Sequence, residues 1–229
     1  MELPDDVRVK IERTVDHLHS EFGEQLPRER ISELVHDSAN RLAANSTVAE
    51  NIPVLCYRFA RERMKAIVRQ QGDGTDTAHD VVFVSLSGGG RGQIAAALTS
   101  VLSNHQVSVH SAGTAVNAEI DPGVRTVLGE IGIDTDEPFA RPVTDEVIRG
   151  ADVIVTMGHS VGVIDIPAAV RHEDWRIGDP LGAPLEEIRR VRADIEYRVR
   201  ALLASIGVPA TEAAAAGSAG PSTASAQPD

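Results

Sequence analysis

The 229-residue chain has one cysteine, Cys56, and two lysines, Lys10 and Lys65. A single thiol excludes an intrachain disulfide and a two-cysteine redox relay. Both lysines lie near the front of the chain, so a Walker A loop, which must close on Gly-Lys-Ser/Thr, has none to use. Basic charge is also short: 22 Lys and Arg stand against 34 Asp and Glu, a net charge of -12. Such a surface repels polyanions and argues against broad binding of nucleic acid or anionic membrane. Met1 to Asp6 has neither a basic region nor an apolar run, and no stretch approaches the roughly 18 apolar residues of a membrane span. The expectation is a cytoplasmic protein with no nucleic acid or membrane among its partners, and nothing in the pattern calls for a metal or cofactor.

What is present divides into a helical front, an alternating middle and a polar end. Over residues 1–70 the chain carries helical periodicity, with Val7, Ile11, Val15, Leu18 and Phe22 on one face, then Ile31, Leu34, Val35, Ser38 and Leu42, then Leu55, Phe59, Arg63 and Ile67. Pro4, Pro27 and Pro53 stand where each helix would start, as suits a residue with fixed φ and no N–H. This predicts a three-helix bundle. Residues 71–80 are polar and glycine-containing and read as a linker that permits some relative motion. From Val81 short apolar strands alternate with helices up to residue 207, the pattern of a parallel sheet covered on both faces. Strands are expected at Val81–Val84, Gln106–His110 and Asp152–Thr156. Helices are expected near Gln93–Leu102, Pro122–Ile131, Thr144–Arg149 and Pro184–Ser205. Residues 208–229 are rich in Ala, Ser, Gly, Pro and Thr and read as a disordered tail.

The segment Val81-Val82-Phe83-Val84-Ser85-Leu86-Ser87-Gly88-Gly89-Gly90-Arg91-Gly92-Gln93 runs from an apolar strand into a glycine-rich loop and then a helix. Successive glycines let backbone N–H groups converge on an anion, and the helix N-terminus adds positive partial charge there. Leu86, Ser87, Gly88, Gly89, Gly90, Arg91 and Gly92 are therefore the candidate anion-binding residues, with the Arg91 guanidinium able to hold two oxyanion oxygens. A dinucleotide fingerprint fits poorly. Gly88 and Gly90 are followed by Gln93 where a third glycine belongs, and the second strand ends at His110-Ser111 without an acidic residue.

The loop resembles that of the low-molecular-weight protein tyrosine phosphatase and arsenate reductase superfamily, whose signature is Cys, five residues, Arg, then Ser or Thr. Three further stretches fall in that superfamily's order: Ser111-Ala112-Gly113-Thr114, Val155-Thr156-Met157-Gly158, and Trp175 with Asp179-Pro180. The front domain is similar to the helical extension of actinobacterial, mycothiol-dependent arsenate reductases, through Ile52-Pro53-Val54-Leu55 and Arg58 to Arg63. The resemblance implies a parallel four-stranded sheet flanked by helices, preceded by the three-helix bundle. It also implies a phosphate, arsenate or phosphorylated ligand, with Ser85, Arg91 and Asp179 at the nucleophile, anion-binding and general-acid positions.

The chain departs from the signature at two places. Ser85 stands where the cysteine belongs, and Gly92 where the hydroxyl residue belongs. A thiol in such a cradle ionises near neutral pH, whereas a serine hydroxyl needs a neighbouring base. His159 is one candidate base, but a loop histidine exposed to water is the simpler reading. The relay cysteines of arsenate reductases have His159 and Val163 in their places. The expectation is thus an oxyanion-binding, catalytically degenerate relative. Two alternatives stand beside it: an active phosphomonoesterase or arsenate reductase relative using Ser85, Arg91 and Asp179, and a scaffold acting through the bundle, which can support a homodimer or a protein partner.

Overall fold

A computed structural model of the chain describes residues 3–45, 51–72, 78–86, 90–113, 120–133, 141–158 and 164–211. The front of the chain forms α1 (Asp5–Phe22), α2 (Arg28–Asn45) and α3 (Ile52–Gln70). Pro4 is the N-cap of α1, and Asp5 and Asp6 in its first turn complement the helix dipole. Val7, Ile11, Val15, Leu18 and Phe22 are all buried, so the apolar face of α1 is the one its spacing predicts. α3 differs. Its buried residues are Ile52, Pro53, Cys56, Phe59, Ala60, Arg63 and Met64, while Leu55 and Ile67 lie at the margin of the core. The face is broadened because α3 packs on α1 and α2 on one side and on a later helix, α6 (Asp145–Gly150), on the other.

The second unit contains β1 (Asp80–Ser85), α4 (Arg91–Leu102), β2 (Ser108–Gly113), α5 (Pro122–Gly129), β3 (Arg141–Pro142), α6 (Asp145–Gly150), β4 (Val153–Met157), β5 (Arg171–Trp175) and α7 (Leu185–Ser205). The strands form one sheet in the order β3-β2-β1-β4-β5, with every pair parallel. Among the described residues the sheet therefore has five strands, one more than expected. β3 is only two residues long, and Trp175 is the sole buried residue of β5, so neither carries the apolar run that marks a strand in sequence. β2 also lies later than Gln106–His110, reaching Gly113.

Side chains of β1 alternate between two cores. Val81 and Phe83 join Val155, Met157 and Trp175 under α4, α5 and α7. Val82 and Val84 join Ile154 and Ala112 under Val147 and Ile148 of α6. β1 is the middle strand, with the chain proceeding to β2 and β3 on one side and to β4 and β5 on the other. The crevice at the carboxyl ends of β1 and β4 is a topological switch point, where open α/β sheets place ligands.

The polar linker by itself would permit motion between the two units, yet α3 is fastened to the second one. A Cβ on Gly150 would lie 2.8 Å from the Ala66 Cβ, so α6 approaches α3 through a glycine. Arg63, almost wholly buried, donates to Glu146 of α6 at 3.0 Å and to the Ser38 hydroxyl at 2.9 Å, and pairs with Asp37 at 2.7 Å. Arg69 pairs with Asp152 at 2.5 Å. Val208 to Thr211 likewise stay on the body of the protein: the Thr211 N–H donates to the Leu102 carbonyl at 2.8 Å, closing the end of α4.

Candidate active site

Ser85 is the last residue of β1 and is buried. Leu86 follows with its side chain exposed, so only its backbone can serve the cradle. Ser87, Gly88, Gly89 and His159 lie outside the described residues. The loop returns at Gly90, the N-cap of α4. A Cβ there would stand 3.1 Å from the Pro180 ring, so glycine lets the Asp179-Pro180 turn seat against the start of the helix.

Arg91 opens α4 and is turned across the crevice. Its Nη1 donates to the Ile177 carbonyl at 2.9 Å, and its Nη2 pairs with the Asp179 carboxylate at 3.5 Å. The guanidinium lies on Gly158, whose φ is +94° and whose Cβ, if present, would be 3.0 Å from Nη1. Gly158 is therefore glycine for two reasons: the left-handed backbone, and the cation against it. Asp179 also accepts the Leu181 N–H at 3.3 Å, so it is both the turn residue its Asp-Pro sequence suggests and a partner of Arg91. Asp121 steadies the same loop. One carboxylate oxygen caps α5 through Gly123 and Val124, and the other accepts the Gly182 N–H at 3.2 Å.

Beside Arg91 is a cavity of about 400 Å³ lined by Arg91, Gly158, Asp174, Arg176, Ile177 and Gly178. The structure thus brings together Ser85, Gly90, Arg91, Gly92 and Asp179 at one end of the sheet. It adds Gly158, the Ile177 carbonyl and Asp121, whose contacts no sequence spacing announces. The first turn of α4 reaches the Ser85 hydroxyl at Gly92, so the helix N-terminus places positive partial charge beside it.

The only thiol is elsewhere. Cys56 is fully buried in the bundle core and donates to the Val35 carbonyl at 3.3 Å; burial pushes it up to about 12. His110 and His172 are also accounted for. His172 meets the Thr156 hydroxyl at 2.9 Å on the strand pair β4–β5. His110 sits between the Glu62 and Asp80 carboxylates at 3.4 and 3.1 Å. Among the described residues no group of His, Cys, Asp and Glu could hold a metal, and no helix is long and apolar enough to cross a membrane.

A central parallel sheet, an arginine opening the helix that follows β1 and an aspartate facing it at the carboxyl ends of the strands give the architecture of a phosphatase-type α/β domain. The chain belongs to the low molecular weight phosphotyrosine protein phosphatase family, which it matches over residues 80–212. Residues 11–68 match the N-terminal domain of protein-tyrosine-phosphatase-like proteins. A thioredoxin-dependent arsenate reductase of Corynebacterium glutamicum has a similar structure, with 29% identity and a TM-score of 0.78 over 86% of this chain and 96% of that one. An arsenate reductase in its phosphate-binding state is 28% identical, with a TM-score of 0.52 over 56% of this chain and 98% of its own. A putative arsenate reductase of Halobacterium salinarum is 31% identical over 122 residues, 51% of this chain and 85% of its own length. The Corynebacterium protein extends the likeness through the helical front, whereas the Halobacterium match spans about half of the chain.

Proposed function

We propose that the chain binds a tetrahedral oxyanion, whether phosphate, arsenate or the phosphoryl group of a larger ligand, at Ser85 to Gly92, and that it has lost the covalent step of its relatives. The observation that carries this reading is the nature of the buried group at the end of β1. It is the Ser85 hydroxyl, and the one thiol of the chain is sealed in the other domain. The α4 N-terminus and Arg91 attract an anion without help from a nucleophile. A serine hydroxyl there donates a hydrogen bond and does not ionise, and attack on phosphorus or arsenic would need a base that took its proton. The cavity beside Arg91, with Asp174 and Arg176 on its wall, gives room for the organic part of a phosphorylated ligand.

Calorimetric titration with phosphate and with arsenate tests the binding half, and p-nitrophenyl phosphate turnover tests the other. The expected result is saturable anion binding, a higher melting temperature in phosphate, and no hydrolysis above background. Turnover abolished by Ser85→Ala would instead make the chain an active phosphomonoesterase. Absence of any anion effect would leave the fold as a scaffold.

A further inference from the structure

We propose that the cavity beside Arg91 takes a free O-phosphorylated α-amino acid, with the phosphate at Ser85 to Gly92, the ammonium on Asp174 and the carboxylate on Arg176; this rests on the oxyanion-binding reading above and adds the chemistry of the organic part. One wall of the cavity comes from the end of β5. β4 and β5 pair Thr156 with Asp174 and Met157 with Trp175. Trp175 turns into the core under α4 and α7, so Asp174, one residue before it, projects from the opposite face of the strand. Arg176, one residue after it, is exposed. Arg91, Asp174 and Arg176 line the same cavity of about 400 Å³, within the ordinary size of a small-ligand site, about 300–1,000 Å³.

Asp174 is fixed from one side. The Thr156 hydroxyl reaches its Oδ1 at 3.3 Å, and its Oδ2 stands 3.9 Å from the Arg176 Nε. The second distance is beyond a hydrogen bond, so a carboxylate and a guanidinium stand side by side without engaging each other's acceptors and donors. Arg91 has one N–H on the Ile177 carbonyl at 2.9 Å and meets Asp179 at 3.5 Å. The cavity thus presents one cation for the phosphate, and an anion and a second cation within ion-pair distance of each other.

That wall discriminates. A second phosphate or a lone carboxylate would meet Arg176 but bring its charge against Asp174, and a lone amine would do the reverse. A neutral apolar group would leave both charges beside a surface that offers them no hydrogen bond. The ammonium and carboxylate of an α-amino acid share one carbon, so they arrive as a close pair of opposite charges. The ammonium faces the Asp174 Oδ2, and the carboxylate lies on the planar fork of Arg176, which can hold both of its oxygens. The same residue inside a peptide has neither charge, because both groups are part of amide bonds. The wall therefore favours the free phosphoamino acid over a phosphorylated protein segment. Recognition is by binding alone, and no bond is made or broken.

The test is calorimetry on the full chain with O-phospho-L-serine and O-phospho-L-tyrosine. Each is compared with the ester that lacks the amino acid end, ethyl phosphate or phenyl phosphate, and with its own N-acetyl amide. At least one of the two phosphoamino acids is expected to bind about tenfold more tightly than its ester and its amide. Both wall contacts lie at the solvent edge, so Asp174→Asn and Arg176→Gln should each cut that preference about threefold to fivefold. At the preferred length, the analogue with the ammonium alone, phosphoethanolamine or phosphotyramine, should lose its advantage over the ester in Asp174→Asn and keep it in Arg176→Gln. Equal affinities for the phosphoamino acids, their esters and their amides, or a preference that survives both substitutions, would overturn the inference and leave the oxyanion reading standing as long as inorganic phosphate binds. Failure of the wild type to bind inorganic phosphate and all of these esters would overturn both.

Discussion

Glu62 of α3 and His110 of β2 face each other at 3.4 Å across the junction of the two domains, with Arg141 of β3 also paired to Glu62 and Asp80 of β1 on the far side of the ring at 3.1 Å. Burial works against a charged imidazole, but the Glu62 and Asp80 carboxylates outweigh it and push His110 from its ordinary 6.5 up to about 10. Burial likewise opposes ionisation of Glu62, and Arg141 and His110 overcome it and hold that carboxyl below its ordinary range. The domains are thus joined by a mutually dependent set of buried charges. Removing one member leaves the others buried without compensation.

Stability should therefore fall on the alkaline side of neutrality. A histidine whose folded value lies above its unfolded one contributes fully below about pH 6.5 and loses that contribution as pH rises through about 10. The slope is at most about 1.4 kcal/mol per pH unit for one proton. Glu62 is shifted in the opposite sense, so its contribution is present above 4.5 and lost only at acid pH, outside this window. The Cys56 thiol adds a further loss only as pH rises past the ordinary thiol range, because the unfolded thiol ionises there while the buried one stays neutral. Urea unfolding between pH 7 and 9 should show falling stability in the wild type and a flatter profile in His110→Gln. Parallel profiles in the two proteins would contradict the assignment.

Gly158→Ala should weaken anion binding by displacing the Arg91 guanidinium. The substitution combines a φ of +94° with a Cβ placed 3.0 Å from the Arg91 Nη1 and 3.1 Å from its Nη2. The backbone strain costs about 1–3 kcal/mol, and the guanidinium must leave its seat between the Ile177 carbonyl and Asp179. We expect phosphate affinity to drop about tenfold, comparable to losing a charge-assisted hydrogen bond. The control is Arg91→Ala, in whose background Gly158→Ala should cost stability but no further affinity. An unchanged affinity in the single variant would mean that Arg91 does not hold the anion from this side.

The parts of the fold that the sequence displays are those written by local periodicity. α1 shows its buried face at every fourth or third residue from Val7 to Phe22, and β1 reads as a fully buried apolar run. β5 is hidden because Arg-His-Glu-Asp-Trp becomes a strand only by pairing with β4, from Val153 with Arg171 to Met157 with Trp175. The site divides in the same way. Ser85, Arg91 and Asp179 are picked out by the resemblance of their motifs and by chain order. The seat of Arg91 on Gly158, the packing of Ser111 against Gly92 and the Glu62–His110 junction join residues far apart in the chain. In each case one member reads alone as an ordinary loop glycine, strand serine or helix-face charge.

Ser85→Cys measures the cradle directly, because a thiol reports local electrostatics through its ionisation. At the end of β1 the introduced thiol would sit under the α4 N-terminus and near Arg91, both of which favour the thiolate. We expect it to titrate well below the ordinary thiol value of about 8.5, read from thiolate absorbance and the pH dependence of alkylation by iodoacetamide. Cys56 provides the internal contrast: buried and pushed up to about 12, it should stay unmodified in the native protein at the same pH. Phosphate should protect the introduced thiol from alkylation if anion and thiol share one cradle. Hydrolysis of p-nitrophenyl phosphate by this variant then separates two states of the loop. Turnover means that the cradle geometry persists and only the nucleophile was lost. A low-titrating, phosphate-protected thiol without turnover means that the electrostatics persist but the positioning does not, and Gly92, which places no hydroxyl beside residue 85 from the helix side, is where the difference should be sought. A thiol that titrates near 8.5 and alkylates regardless of phosphate would show that no anion cradle survives at the end of β1.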